Sequence, residues 1–336
     1  MNILELQAEQ IKEVINIKQI FMSYIDASDE LLKYQGCMRW RHISGGAYLY
    51  NKNRGGAWKS LGPISEKTES IYNNFVDGKS KAEDRLRSLG EQLRIRSRIA
   101  KAVGINRIPL TTSRIINSIR REGIHDKIMV IGTNAIYAYE SMSSVFVMPA
   151  LMETGDVDFL WDNRSGLKLI SNDSSHDFLS ILQKADKSFK RTNVNYRAAN
   201  KNGFMVDLVV EEPKNMMGET RNRIGGYNDL IASEIGSLRW LINSPSIDVT
   251  VIDQRGLPLL MRVPDPRSFA IHKLWLSGQP NRSAGKAKRD MEQAYTVASM
   301  VVQYMPQYSF SKDELKMFPE DVVREGLDKI EDELDW

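Results

Sequence analysis

The chain has 336 residues, 42% apolar and 26% charged, with a formal net charge of +3. That balance suits a soluble globular protein with a sizeable core and room for two or three domains. Cys37 is its one cysteine, which excludes an internal disulfide and a cysteine-rich zinc site and fits a reducing compartment.

No run approaches 18 apolar residues, and the opening MNILELQAEQIKE is acidic and amphipathic rather than signal-like. A cytoplasmic location without a membrane partner is expected. The charge is unevenly distributed. Lys79 to Arg121 carries twelve Lys/Arg against three acids, and Lys312 to Trp336 carries ten acids against four bases. The basic segment points to an anionic partner or to a solvated helix face.

In chain order, residues 1–35 show a helical stripe of Leu4, Ile11, Val14, Ile15, Met22 and Ile25, interrupted by Lys18 and with Ile17 off it. Residues 36–62 change texture. Alternation of Trp40, His42, Ala47, Leu49 and Trp58 around NKNRGG predicts a β-hairpin. Its aromatics, interleaved with Arg41, Lys52, Arg54 and Lys59, either stack on bases or belong to a small hairpin packed on helices. The basic segment reads as two helices, the first striped by Leu86, Leu89, Leu93 and Ile99-Ala100. The second is striped by Ile115, Ile116 and Ile119, with Thr111, Thr112 or Ser113 as candidate N-caps. Arg94, Arg96 and Arg98 spread around a helix axis, so at least one faces a buried or ligand-facing side.

The core begins near Asp126. An apolar run, Ile128 to Ile131, ends on Gly132-Thr133 and opens a segment of helical spacing; a second apolar strand carries Asp156 and Asp158. His176 to Lys187 reads as a helix, Gly203 to Val210 as a strand with one acid, Asp207, and Glu211 to Gly226 as a polar connector. Ile247 to Val263 is a hairpin. Pro264-Asp265-Pro266 starts a helix to about Ser277, with Asp265 as cap and Pro266 first. A last long helix runs from Ala284 to Met305. The expected domains are 1–125, 126–215, 216–311 and an acidic tail, 312–336.

Strand alternation puts Asp156 and Asp158 on one face. Two such carboxylates repel each other unless a cation or a shared proton lies between them. Mg²⁺ (or Mn²⁺) held by one or two carboxylates and by substrate phosphates suits the pair. Asp207, a lone acid in an apolar strand, is the natural third ligand. Gly132 permits close backbone approach, and the Thr133 hydroxyl with the helix start can donate to a phosphate. The alternative for Gly-Thr is an ordinary helix start. Lys286, Asp290 and Gln293 share a helix face by spacing, either in a site or as a surface ion pair. His42, His125, His176 and His272 show no metal-ligand spacing.

A Gly-Ser or Gly-Thr at a helix start, then Asp-x-Asp, then a later strand Asp resembles the DNA polymerase β-like nucleotidyltransferase superfamily. The finer pattern resembles a bacterial family of nucleotidyltransferase-fold proteins related to abortive-infection and toxin-type nucleotidyltransferases. The matching pieces are RIPLTTSRIINSIRREGIHDKIMVIGTNAIYAYES, GDVDFLWD, VIDQRGLPLLMRVPDPRSFAIHKLWLS and RSAGKAKRDMEQAYTVASMV, from about Arg107 to Val301. One departure stands out: Asp156 lies 23 residues after Thr133, against about a dozen in the superfamily, so SMSSVFVMPALMETG is either an insertion or an unusually long helix-to-strand connection.

The resemblance implies an α+β fold, a mixed sheet with flanking helices, plus an N-terminal helical and hairpin region and a C-terminal helical domain. It implies phosphate and metal roles for Gly132, Thr133, Asp156, Asp158 and Asp207. Lys273, Arg282 and Lys286 would hold a nucleoside triphosphate, with Asp290 orienting a lysine or acting as a base on the acceptor hydroxyl. The expected reaction moves an NMP from an NTP to a hydroxyl of RNA, such as a tRNA 3′ end. Protein or small-molecule hydroxyls are alternative acceptors, and a silent nucleotide- or RNA-binding module is an alternative of another class. An antitoxin is the protein partner implied by toxin-type relatives.

Overall fold

The computed structural model describes residues 2–43, 45–53, 56–152, 154–164, 177–212, 223–226 and 228–334. Arg54 and Gly55 of the glycine-rich turn, Glu153, His176, most of the polar connector after Glu211 and the last two residues lie outside the described residues. The chain divides into two compact units, Lys12–Val103 and a larger one of Met1–Ile11 with Gly104–Trp336.

The chain opens with strand β1 (Ile3–Glu5) and helix α1 (Ala8–Leu32). The buried face of α1 is Glu13, Val14, Ile17, Phe21 and Ala27. This displaces the expected stripe: Ile17 is fully buried, while Ile15 and Met22 are exposed and Leu4 belongs to β1. The reason is electrostatic as well as periodic. Glu13 turns inward and pairs with Arg96 at 2.9 Å, so a neutralised charge takes a place that hydropathy would deny it. Arg94 and Arg98 stay exposed.

Strands β2 (Cys37–Ile43), β3 (Gly46–Lys52) and β4 (Lys59–Pro63) form an antiparallel sheet of three, one strand more than the expected hairpin. The extra strand, KSLGP, has no apolar alternation to reveal it. Helix α2 (Glu66–Ala102) begins well before Lys79, because Ser65 and Thr68 form a reciprocal capping box.

In the larger unit, α3 (Leu110–Arg121) starts after Pro109 with no side-chain cap. Thr112 and Ser113 are wholly buried instead; the Ser113 hydroxyl donates to Leu110 O and to Asp253. Then come β5 (Ile128–Ile131), a 3-10 turn Gly132–Ala135, α4 (Ile136–Ser143), β6 (Val145–Val147), α5 (Pro149–Met152) and β7 (Asp156–Trp161). The long spacing before Asp156 is thus structured, and β6 pairs with β1 from the far N-terminus.

Next are α6 (Phe178–Ala185), β8 (Lys190–Arg191), β9 (Arg197–Ala199), β10 (Met205–Glu211), β11 (Ser233–Ile235) and α7 (Leu238–Asn243). The hairpin β12 (Ser246–Ile252) and β13 (Pro258–Pro264) leads to α8 (Pro266–Ser277), α9 (Ala284–Tyr304) and α10 (Glu320–Leu334). Asp265 caps α8 as expected, accepting from the Arg267 amide at 2.8 Å. The acidic C-terminal segment is a packed helix: Val323 and Ile330 are buried, and Gly326 lets α10 approach α8 so closely that a Cβ would lie 2.6 Å from Ile271.

The main sheet runs β5-β7-β10-β9-β8, with β11 also on β10. β7, β10 and β11 are parallel to one another, whereas β5 and β9 are antiparallel to their neighbours. This is the expected mixed sheet with flanking helices. Its centre is apolar on the side away from the acids: Val157, Phe159, Val206 and Leu208 are all fully buried.

Candidate active site

β5 is buried along its whole length and ends at Gly132, whose φ of +64° suits glycine. A side chain there would put Cβ 2.4 Å from Asp158 Oδ2, so the absence of one lets the carboxylate sit against the turn. The turn is pinned to β7: the Asn134 amide donates to Asp156 O at 2.8 Å, and Asn134 accepts from Thr112 of α3. Thr154 donates its hydroxyl to Asp156.

β7 and β10 run parallel in a register that sets Asp158 beside Asp207, with Asp156 one pleat away on the same face. Burial, then the charges of Asp156 and Asp207, push the Asp158 carboxyl up to about 7, against the pull of Lys273 and Arg197.

The opposite wall comes from α8 and α9. Lys273, almost buried on α8, donates to Asp290 at 2.6 Å, and Arg282 bonds the other oxygen of Asp290 at 2.6–2.7 Å. Burial lowers the Lys273 ammonium below its ordinary range while Asp290 opposes the shift. The surface Lys286–Asp290 ion pair, the alternative to a place in a site, is not made; Lys286 is exposed and lines the cavity separately. Gln293 of α9 bridges the two walls, donating to the Thr133 hydroxyl at 3.0 Å and to Leu151 O at 2.9 Å. Its Oε1 is buried and has no hydrogen-bond partner among the described residues.

One cavity of about 360 Å³ is lined by Gly132, Thr133, Asp156, Asp158, Asp207, Lys273, Arg282, Lys286 and Asp290. Every residue that the resemblance gives a phosphate, metal, triphosphate or acceptor role therefore lines it. The surprise is Arg197, whose Nε and Nη2 each reach an Asp207 oxygen at 2.6 Å. Asp207, expected as a third metal ligand, is instead held in a bidentate ion pair in this conformation. The sequence signal for Arg197 is incomplete. Asn202-Gly203 marks a hairpin turn, but a two-residue turn there would pair Asp207 with Ala198; it is the three-residue loop 201–203 that shifts the register by one and sets Arg197 opposite Asp207.

Among the described residues, no group of three or more His, Cys, Asp or Glu side chains is arranged to hold a metal ion. The donors that fit a hard divalent cation are Asp156 and Asp158: both offer carboxylate oxygens on one face of β7, and burial with the neighbouring carboxylates raises the Asp158 carboxyl. Two carboxylates with open positions suit Mg²⁺ that shares phosphate oxygens with a substrate.

A strand leading into a glycine turn, a paired-carboxylate strand beside it and a basic wall facing both meet on this one cavity. A family model described as nucleotidyltransferase matches residues 111–318, and the chain belongs to that family. Membership implies NMP transfer from an NTP in general terms. No curated protein and no solved structure matches the chain. Among the described residues, no helix is long and apolar enough to cross a membrane.

Proposed function

We propose that the protein is a metal-dependent nucleotidyltransferase that moves an NMP from an NTP to an RNA hydroxyl, such as a tRNA 3′ end, releasing pyrophosphate. The observation that carries this reading is the convergence of Asp156 and Asp158, the Gly132-Thr133 turn and the Lys273–Asp290–Arg282 cluster on one cavity. Gly132 and Thr133 would receive the phosphates, the backbone close and the hydroxyl donating. Lys273, Arg282 and Lys286 would balance the triphosphate charge.

Asp290, with both oxygens in ion pairs, would orient Lys273 and Arg282 rather than take the acceptor proton. Asp156 and Asp158 would hold Mg²⁺ or Mn²⁺, with Asp207 available once it parts from Arg197. When bound, the cation supplies charge neutralisation on the phosphates and lowers the pKa of the attacking oxygen. RNA is favoured as acceptor by the basic stretch from Lys79 to Arg121, over a protein or small-molecule hydroxyl. A bacterial source and an antitoxin partner rest on the sequence resemblance alone.

The test is incubation with labelled NTPs, Mg²⁺ or Mn²⁺ and total RNA. Incorporation by the wild type that is lost in Asp156→Ala and Asp158→Ala is the expected result; incorporation unchanged in both would reject the mechanism. The Arg197–Asp207 pair favours one second reading, a nucleotide-binding module without turnover. Tight NTP binding with no pyrophosphate release across varied acceptors would decide for it.

A further inference from the structure

The three-stranded sheet of the smaller unit has two unlike faces. Trp40 and Leu49 are cross-strand partners on one of them. Leu49 is wholly buried, and Trp40 meets Tyr72 of α2 with ring centroids 5.8 Å apart. Alternation sends Arg39, Arg41, Tyr50 and Lys52 to the other face. Trp58 joins them there: its ring lies 4.1 Å from the Arg39 guanidinium and 4.5 Å from that of Arg41, with the Lys52 ammonium at 6.0 Å. Arg41 also lies 5.0 Å from the Tyr50 ring.

Cation–π contact orients these groups without neutralising them. Residues 37–64 contain no Asp or Glu at all, against Arg39, Arg41, Lys52, Arg54 and Lys59. Among the described residues, Arg39, Arg41, Lys52 and Lys59 make no ion pair. Uncompensated charge of one sign, laid over flat rings, calls for a partner that is both anionic and planar. A polyanion of protein supplies the charge but no planes, whereas a single strand of nucleic acid supplies phosphates and bases in alternation.

We infer that this face of the β2–β3–β4 sheet binds single-stranded RNA, with bases on Trp58 and Tyr50 and phosphates on Arg39, Arg41 and Lys52. The inference deepens the proposed transfer to RNA and rests on that reading for the identity of the strand as acceptor. Its test needs no turnover. Full-length protein is titrated into a fluorescently labelled oligoribonucleotide, without NTP or divalent metal, and anisotropy is read over a range of salt.

The expected result is binding that weakens with salt. Trp58→Ala should lose about tenfold or more in affinity and Trp58→Phe should largely retain it. Arg39→Ala/Arg41→Ala should both weaken binding and flatten the salt dependence. NTP binding by calorimetry should match the wild type in all of these variants, separating loss of this surface from loss of fold or active site. RNA affinity unchanged in Trp58→Ala and Arg39→Ala/Arg41→Ala would overturn the inference and leave nucleotidyl transfer standing. Equal binding of polyglutamate and RNA would overturn it too, because charge alone would then account for the face. RNA binding by a wild type that shows no NTP binding would reject the proposed function and leave this surface intact.

Discussion

Arg197 and Asp207 face each other across antiparallel strands and are joined by two hydrogen bonds of 2.6 Å. The pair compensates the most buried of the three clustered acids, since the Asp207 side chain is 9% exposed and that of Arg197 28%. Arg197→Ala should therefore cost on the order of 2 kcal/mol, less than for a wholly buried pair because the guanidinium stays partly in water. The same change leaves three carboxylates to share whatever cation is present. The rise in melting temperature on adding Mg²⁺ should be larger in Arg197→Ala than in the wild type; an equal rise would show that Asp207 does not compete for metal.

Gly132→Ala tests the closeness of the turn to Asp158. A methyl group there meets a carboxylate oxygen at 2.4 Å on a backbone of φ +64°. Destabilisation of about 1–3 kcal/mol is expected from the strained backbone. Displacement of Asp158 should lower the transfer rate about 100-fold. Melting and single-turnover incorporation measure the two effects separately, and a stable variant of normal rate would contradict the geometry.

Asp290→Asn distinguishes an orienting carboxylate from a base. With Lys273 and Arg282 both on Asp290, the variant should raise the KM for NTP and lower kcat while keeping the shape of the rate–pH profile. Loss of the acid limb of that profile would instead assign proton abstraction to Asp290.

His272 gives a pH dependence of stability. Burial, followed by the charge of Lys273, pushes its imidazole down to about 3 from an ordinary 6.5. The unfolded chain then takes up a proton that the folded one refuses. The stability this neutral ring contributes is complete above about 6.5 and is lost progressively as pH falls toward 3. Denaturation midpoints followed from pH 7 to 4 should fall less steeply in His272→Phe than in the wild type. Parallel curves would remove His272 from the account.

The elements legible in the sequence were those whose signal is local. Pro264-Asp265-Pro266 carries its own cap chemistry, and Asp156 and Asp158 share a face by pleat alone. The features that were hidden depend on distant partners. Thr112 and Ser113 look like caps until Asn134 and Asp253 are folded against them. The inner face of α1 admits Glu13 only because Arg96 arrives from another helix. β6 is a strand because β1, more than a hundred residues earlier, lies alongside it.

The Gln293 amide joins Thr133 and Leu151, so one bond donor ties two stretches of chain that meet only through the fold. On that side the cavity is a mould rather than a jaw. A triphosphate would meet the Thr133 turn already held against α9, with little binding energy spent on that wall, while the Asp207 side would still have an ion pair to exchange.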